Sequence, residues 1–289
     1  SKMEADGIKC KAFNPVVPAL RLFMNNRDHR KITVVDGRVA FTGGYNLANE
    51  YFNIVSPYGY WKDTGIRIEG DAVRSFTVMF LAMWNSTVRY DVDFEKYLIP
   101  VEYKAKGTGY VQPYADSPLD FEITGENVYM NMINSARNYL YIMTPYLIVT
   151  DEMARSISLA AQRGVDVRII TPGIPDKKLV YKITRSYYSE LVRNGVRIFE
   201  YTPGFTHGKM CIADDELATV GTINFDYRSF YHHFENGCLL YKCDAITDIK
   251  NDFNETFEKC EEVTELYKKT SRRALKASEC IFRFFAPLL

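Results

Sequence analysis

The sequence predicts an α/β fold of two related lobes, mixed β-sheets flanked by helices and related by a pseudo-two-fold axis. Two observations carry this. The first is an internal repeat: residues 1–15, SKMEADGIKCKAFNP, align without a gap to residues 189–203, SELVRNGVRIFEYTP, a self-similarity that marks duplicated architecture. Ser1, Gly7 and Pro15 meet Ser189, Gly195 and Pro203. The second is an alternation of helical and strand-like apolar patterns between residues 126 and 201, which calls for a parallel or mixed sheet with helices packed on it.

Each repeat copy reads as a helix end, a glycine stop and a strand, with Ile8 meeting Val196 and Phe13 meeting Tyr201. Asp71–Asn85 reads as a helix. The glycine-containing stretch Ala105–Gly109 reads as a linker, dividing a first lobe (1–107) from a second (108–289). In the second lobe, Glu126–Arg137 places Val128, Met132, Ile133 and Ala136 on one helical face. Tyr139–Met143 is a strand, and Asp151–Arg163 a helix capped by Thr150 and stopped by Gly164. Val165–Thr171 is a strand, Asp176 caps a helix running to about Asn194, and Val196–Tyr201 closes the series as a strand. Residues 111–188 have no counterpart in the first lobe. At the repeat offset the missing partner precedes Ser1, so the first lobe is expected to be N-terminally truncated.

Composition narrows the chemistry. Lys+Arg and Asp+Glu balance at 36 each, so no overall basic field favours nucleic acid. The six cysteines (Cys10, Cys211, Cys238, Cys243, Cys260 and Cys280) show no CxxC pair. Reduced thiols in a cytosolic compartment fit better than a zinc site or a disulfide framework. No apolar run reaches the roughly 20 residues needed to span a bilayer.

Each lobe carries the pattern H-x-K-x4-D-x6-G-x2-N. It comprises His29, Lys31, Asp36, Gly43 and Asn46 in the first lobe, and His207, Lys209, Asp214, Gly221 and Asn224 in the second. Histidine and lysine at i and i+2 of an extended segment point to one face and can converge on one anion. The asparagine adds an amide donor, expected beside a helix N-terminus. Two such sets around one phosphate make a phosphoryl-transfer site that needs no metal or other cofactor.

These paired motifs resemble the HKD motifs of the phospholipase D superfamily. Their continuations, GGYNLANEYFN…YWKDTGIRIEG and GTINFDYRSFYHHFENGCLLY, and the upstream TPYLI and PGIPDKKLVYKITRSYYSELVRNGV, look like bacterial cardiolipin synthases. The resemblance covers nearly the whole chain and implies two phospholipase D-like lobes. It implies a ping-pong transfer between two phosphatidylglycerol molecules, with His29 as nucleophile and His207 as acid and base. A catalytic set of His29, Lys31, Asp36, His207, Lys209 and Asp214 follows, although both aspartates precede a turn and read as holding strand ends. Asn46, Asn224, Thr222 and Gly44 are expected at the phosphate. A carboxylate on a later strand is expected to orient each ring: Asp63 for His29 and Glu235 for His207.

The same resemblance implies no cofactor, no nucleic-acid partner, and an anionic membrane surface as the place of work. It further implies a site that a monomer can form, the cytoplasmic face of a bacterial membrane, and an anchor upstream. Phospholipase D-type hydrolysis, nucleic-acid cleavage and a non-catalytic binding module are the alternatives. His232 and His233 read as packing or surface residues, Arg228 as a salt-bridge brace, and Tyr58, Tyr60 and Trp61 as core or channel lining. The basic stretch Glu265–Leu289 reads as a membrane-surface or lobe-packed helix.

Overall fold

The computed structural model describes residues 2–15, 26–90, 92–100, 103, 105 and 107–270. Most of the basic C-terminal stretch lies outside them. The first lobe runs α1 (Lys2–Ala5), β1 (Arg27–Asp28), β2 (Ile32–Val35), β3 (Val39–Gly43), β4 (Tyr60–Lys62), β5 (Gly65–Glu69) and α2 (Ala72–Thr87). The second begins with β6 (Tyr110–Asp116), α3 (Thr124–Ser135), β7 (Tyr139–Met143), β8 (Leu147–Ile148), α4 (Asp151–Gln162), β9 (Asp166–Pro172), α5 (Lys178–Arg193) and β10 (Arg197–Tyr201). It continues with β11 (Gly204–Thr206), β12 (Met210–Ala213), β13 (Leu217–Gly221), β14 (Phe225–Asp226), α6 (Tyr227–Tyr231), β15 (His233–Tyr241), α7 (Ala245–Phe257), β16 (Cys260–Glu262) and α8 (Thr264–Thr270).

The large sheet is mixed, in the order β1-β15-β13-β12-β7-β9-β10-β16, with β6 on β15. β7, β9 and β10 are parallel because α4 and α5 cross between them. Both faces of these strands are covered, β9 sending Ile169 into one core and Ile170 into the other. Leu140 and Ile142 of β7 enter one core with Ile157 of α4 and Leu191 of α5, while Tyr141 and Met143 enter the other. That second core also holds Ala40, Ile68, Val73 and Phe76 of the first lobe, so the lobes are fused by a shared apolar interior.

Local chemistry sets some of the helix ends. Thr150 Oγ1 accepts from Met153 N at 3.2 Å, capping α4 as expected. Asp176 does not cap α5; its carboxylate takes the Tyr146 hydroxyl at 2.6 Å, and the residue at the cap position is Lys177. Both repeat copies end their helix at a left-handed glycine, Gly7 (φ 81°) and Gly195 (φ 98°). Beyond it they diverge. Arg197–Tyr201 is held between β9 and β16, whereas Ile8–Phe13 forms no strand because no described strand flanks it.

The motif aspartates sit in two matched hairpin turns. Asp36–Gly37 (φ 51° and 64°) and Asp214–Asp215 (φ 55° and 58°) carry the paired positive φ of a type I′ turn, where aspartate is tolerated. Asp214 also accepts from the backbone N–H groups of Arg137, Asn138 and Tyr139 at 2.7, 2.8 and 2.9 Å, pinning the start of β7. Asp214→Ala is therefore expected to destabilise the fold by about 2 kcal/mol in urea unfolding. An unchanged unfolding midpoint would remove this bracing role.

Candidate active site

Each motif histidine lies in the break between two short strands, His29 between β1 and β2 and His207 between β11 and β12. Each is hung on the opposite lobe. β1 runs parallel to β15, and the His29 N–H continues that ladder to Phe234 O at 2.9 Å. β11 runs parallel to β4, and the His207 N–H donates to Lys62 O at 2.7 Å. The residue after each accepting carbonyl is a carboxylate.

The rings consequently exchange carboxylates across the lobes. Glu235 accepts from His29 Nδ1 at 2.8 and 2.9 Å, and Asp63 accepts from His207 Nδ1 at 2.8 Å. The expected pairing of Asp63 with His29 and Glu235 with His207 is thus reversed. With Nδ1 occupied on both rings, the tautomer is set and Nε2 is the atom left for chemistry. Both rings line one cavity of about 550 Å³, together with Asn46, Asn224, Arg228 and His233, walled by Tyr51, Trp61 and Tyr146.

The remaining expected residues divide. Lys31 Nζ and Lys209 Nζ each donate to the carbonyl of their own motif histidine at 2.6 Å, a matched pair two residues on. Asn224 is buried with its Oδ1 unpartnered, and Asn46 Nδ2 donates to the Tyr51 hydroxyl at 2.6 Å. Thr222, expected at the phosphate, directs its hydroxyl to Glu235 instead. Gly44 occupies the matching place in the first lobe, where a Cβ would collide with Asp63 Oδ1 and the His207 carbonyl, so its part is close approach. Asp36 and Asp214, grouped with the catalytic set, sit in their turns outside the cavity. Asn224 is not at a long helix start: β14 follows it, and α6 begins at Tyr227 with Asp226 as its cap.

Arg228 and His233 were misjudged from sequence, while Trp61 takes the lining role that was one of its two readings. Arg228, expected to brace by salt bridges, makes none among the described residues and lines the cavity. His233 also lines it, 5.4 Å from the His29 ring. Trp61 both lines it and donates from Nε1 to Asp63 Oδ2 at 3.3 Å. For His233 and Trp61 the signal available was position: each ring stands two residues before a carboxylate in extended chain.

Burial dominates the electrostatics. It lowers His207 to about 3, the Lys209 ammonium acting in the same sense against the pull of Asp63. His29 is also lowered by burial, with Glu235 opposing. Burial brings Lys209 down to about 7 and Lys31 to about 8. It would raise both carboxyls, but the facing histidine contacts and nearby lysines outweigh it and hold Asp63 and Glu235 low. The balance therefore favours carboxylates and neutral rings, and brings both lysines far below their usual range.

A family model described as cardiolipin synthase, PLD-like domain, matches residues 129–257. The chain is 36% identical over 289 residues to a cardiolipin synthase of Geobacillus thermodenitrificans and 37% identical over 284 residues to cardiolipin synthase 2 of Bacillus cereus. The chain belongs to the phospholipase D superfamily. Within it, 50% identity over 288 residues links the chain to an uncharacterized protein of Streptococcus mutans. These matches take in 98–100% of this chain but only 55–62% of the relatives, so this superfamily member spans little more than half their length. Its fold is shared with phosphatidylserine synthase of Haemophilus influenzae Rd KW20 at a TM-score of 0.64 and 16% identity, over 90% of this chain and 68% of that one. Among the described residues, no helix is long and apolar enough to cross a membrane.

Proposed function

We propose that this chain is the catalytic part of a cardiolipin synthase, joining two phosphatidylglycerol molecules and releasing glycerol. The observation that carries the reading is the pair of carboxylate-held imidazoles, His29 and His207, on one cavity. The resemblance to named cardiolipin synthases supplies the lipid class.

In the proposed sequence His29 Nε2 attacks the phosphorus of the first phosphatidylglycerol. The P–O bond to glycerol breaks, and the departing oxygen takes a proton from His207 Nε2. His207, now neutral, accepts the proton of a second phosphatidylglycerol hydroxyl as that oxygen attacks the phosphatidyl-histidine, and cardiolipin leaves with His29 restored. Glu235 and Asp63 steady the imidazolium that forms at each step. His207 must first gain a proton, and an incoming phosphodiester anion provides the charge that favours it. Lys31 and Lys209 add positive charge beside the transferring group. An anionic membrane surface is the proposed workplace, with the site completed within one chain.

The test is to give labelled phosphatidylglycerol vesicles to the full-length protein and separate the products. Cardiolipin with glycerol is the expected outcome; phosphatidic acid alone would replace transfer by hydrolysis. A second expectation follows from the lysines. A soluble phosphodiester such as glycerophosphoglycerol keeps its charge over this range, while Lys209 and Lys31 lose theirs as pH rises through about 7 and about 8. Its affinity is therefore expected to fall by at least about tenfold from pH 6 to 9. A flat profile by calorimetry would take the lysines out of phosphate binding.

A further inference from the structure

Two residues before each orienting carboxylate stands a ring that can offer an N–H to it. Trp61 of β4 precedes Asp63, just past the strand end, and His233 precedes Glu235 on one face of β15. The Trp61 indole donates to Asp63 Oδ2 at 3.3 Å and packs 5.1 Å from His207. His233 Nδ1 stands 3.5 Å from Glu235 Oε1, an ion-pair distance rather than a hydrogen bond, and its ring is 5.4 Å from His29. The two halves match in placement and differ in chemistry. Indole has one nitrogen, and it is engaged. Imidazole has two, and in His233 both are buried with no hydrogen-bond partner among the described residues. A buried polar ring left so is costly unless a ligand or a small closure satisfies it. Glu235 already takes His29 and the Thr222 hydroxyl, and a carboxylate's roughly four lone-pair sites leave room for one more donor.

We propose that His233 is a positioning residue with two partners: as the imidazolium formed when the phosphodiester anion binds, it closes Nδ1–H onto Glu235 behind His29 and holds a non-bridging oxygen of the phosphodiester with Nε2–H. The halves are then unequal, since Trp61 only steadies its carboxylate while His233 also grips the ligand. His29, His233 and Glu235 also place three ligand atoms within 4.8 Å of one another, a spacing a metal could use. The Lys31 and Lys209 ammoniums that depress His29 would repel a cation there, and the same charges favour an anion.

The inference rests on the cavity being a phosphodiester site, so its test includes a binding measurement that needs no turnover. In the full-length protein, His233→Asn keeps an N–H near the Nδ1 position, His233→Gln near the Nε2 position, and His233→Leu neither. Glycerophosphoglycerol affinity by calorimetry is expected to fall about tenfold in the Asn and Leu variants and about twofold in Gln. The kcat for cardiolipin formation is expected to fall about tenfold in Leu and Gln, and about threefold in Asn. Should the Leu variant not fold, the opposite ranking of Asn and Gln in the two measurements still decides. Equal effects of Asn and Gln in both would overturn the proposal. If wild type makes no cardiolipin, the function proposed above fails, and the binding order alone upholds or sinks the role of His233.

Discussion

His29→Ala and His207→Ala are each expected to lower phosphatidyl transfer by at least about 10⁴-fold, and the double replacement little further. In the proposed cycle the two rings act on one phosphorus, so removing either would stop it and leave nothing for the second lesion to remove. Their places are not interchangeable in outcome. A covalent phospholipid adduct, trapped by acid quench, is expected in wild type and absent from His29→Ala. In His207→Ala it accumulates when the leaving group is a phenol that needs no proton. Each replacement strands a buried carboxylate, at a cost of about 1–3 kcal/mol, so thermal unfolding must accompany the assay. An adduct in folded His29→Ala would transfer the nucleophile's role elsewhere.

Glu235→Gln is expected to lower turnover by about 10²–10⁴-fold, acting on His29 and not on the histidine of its own lobe. Glu235 is fully buried and accepts from the His29 ring on both oxygens. A glutamine can present its amide nitrogen to that ring, which then has to turn the other tautomer to the substrate. Nitrogen-15 spectra of the imidazoles give the direct check. In Glu235→Gln the His29 Nδ1–H signal should shift or exchange away while the His207 signal stays, and Asp63→Asn should do the reverse. Disturbance of His207 by Glu235→Gln would mean that the carboxylates do not cross between lobes.

Much of this was legible in the residues. The strand Tyr139–Met143 declares itself as a continuous apolar run because the sheet is covered on both sides, and Val167, Ile169 and Ile170 mark the next one despite Asp166 and Arg168. The duplicated His-Lys spacing is local, and the matched Lys31 and Lys209 contacts reproduce it. What was hidden depends on partners far away in the chain. The crossing of Asp63 and Glu235 is set by β1 against β15 and β4 against β11, pairings that no spacing within one lobe can express. Thr222 looked like a donor to substrate because its hydroxyl is visible in sequence while its distance from Glu235 is not. Ile8–Phe13 carries a strand-like pattern, but a strand needs a neighbour to satisfy its backbone.

The threading of β1 onto β15 and of β4 onto β11 has a consequence for how such a protein can be divided. Cut between its halves, each piece would keep an imidazole without its counter-ion and a carboxylate without its ring. Neither piece could rebuild a working dyad from its own residues, yet any mate offering the complementary strand edge could restore it. The halves behave as obligate lenders to one another.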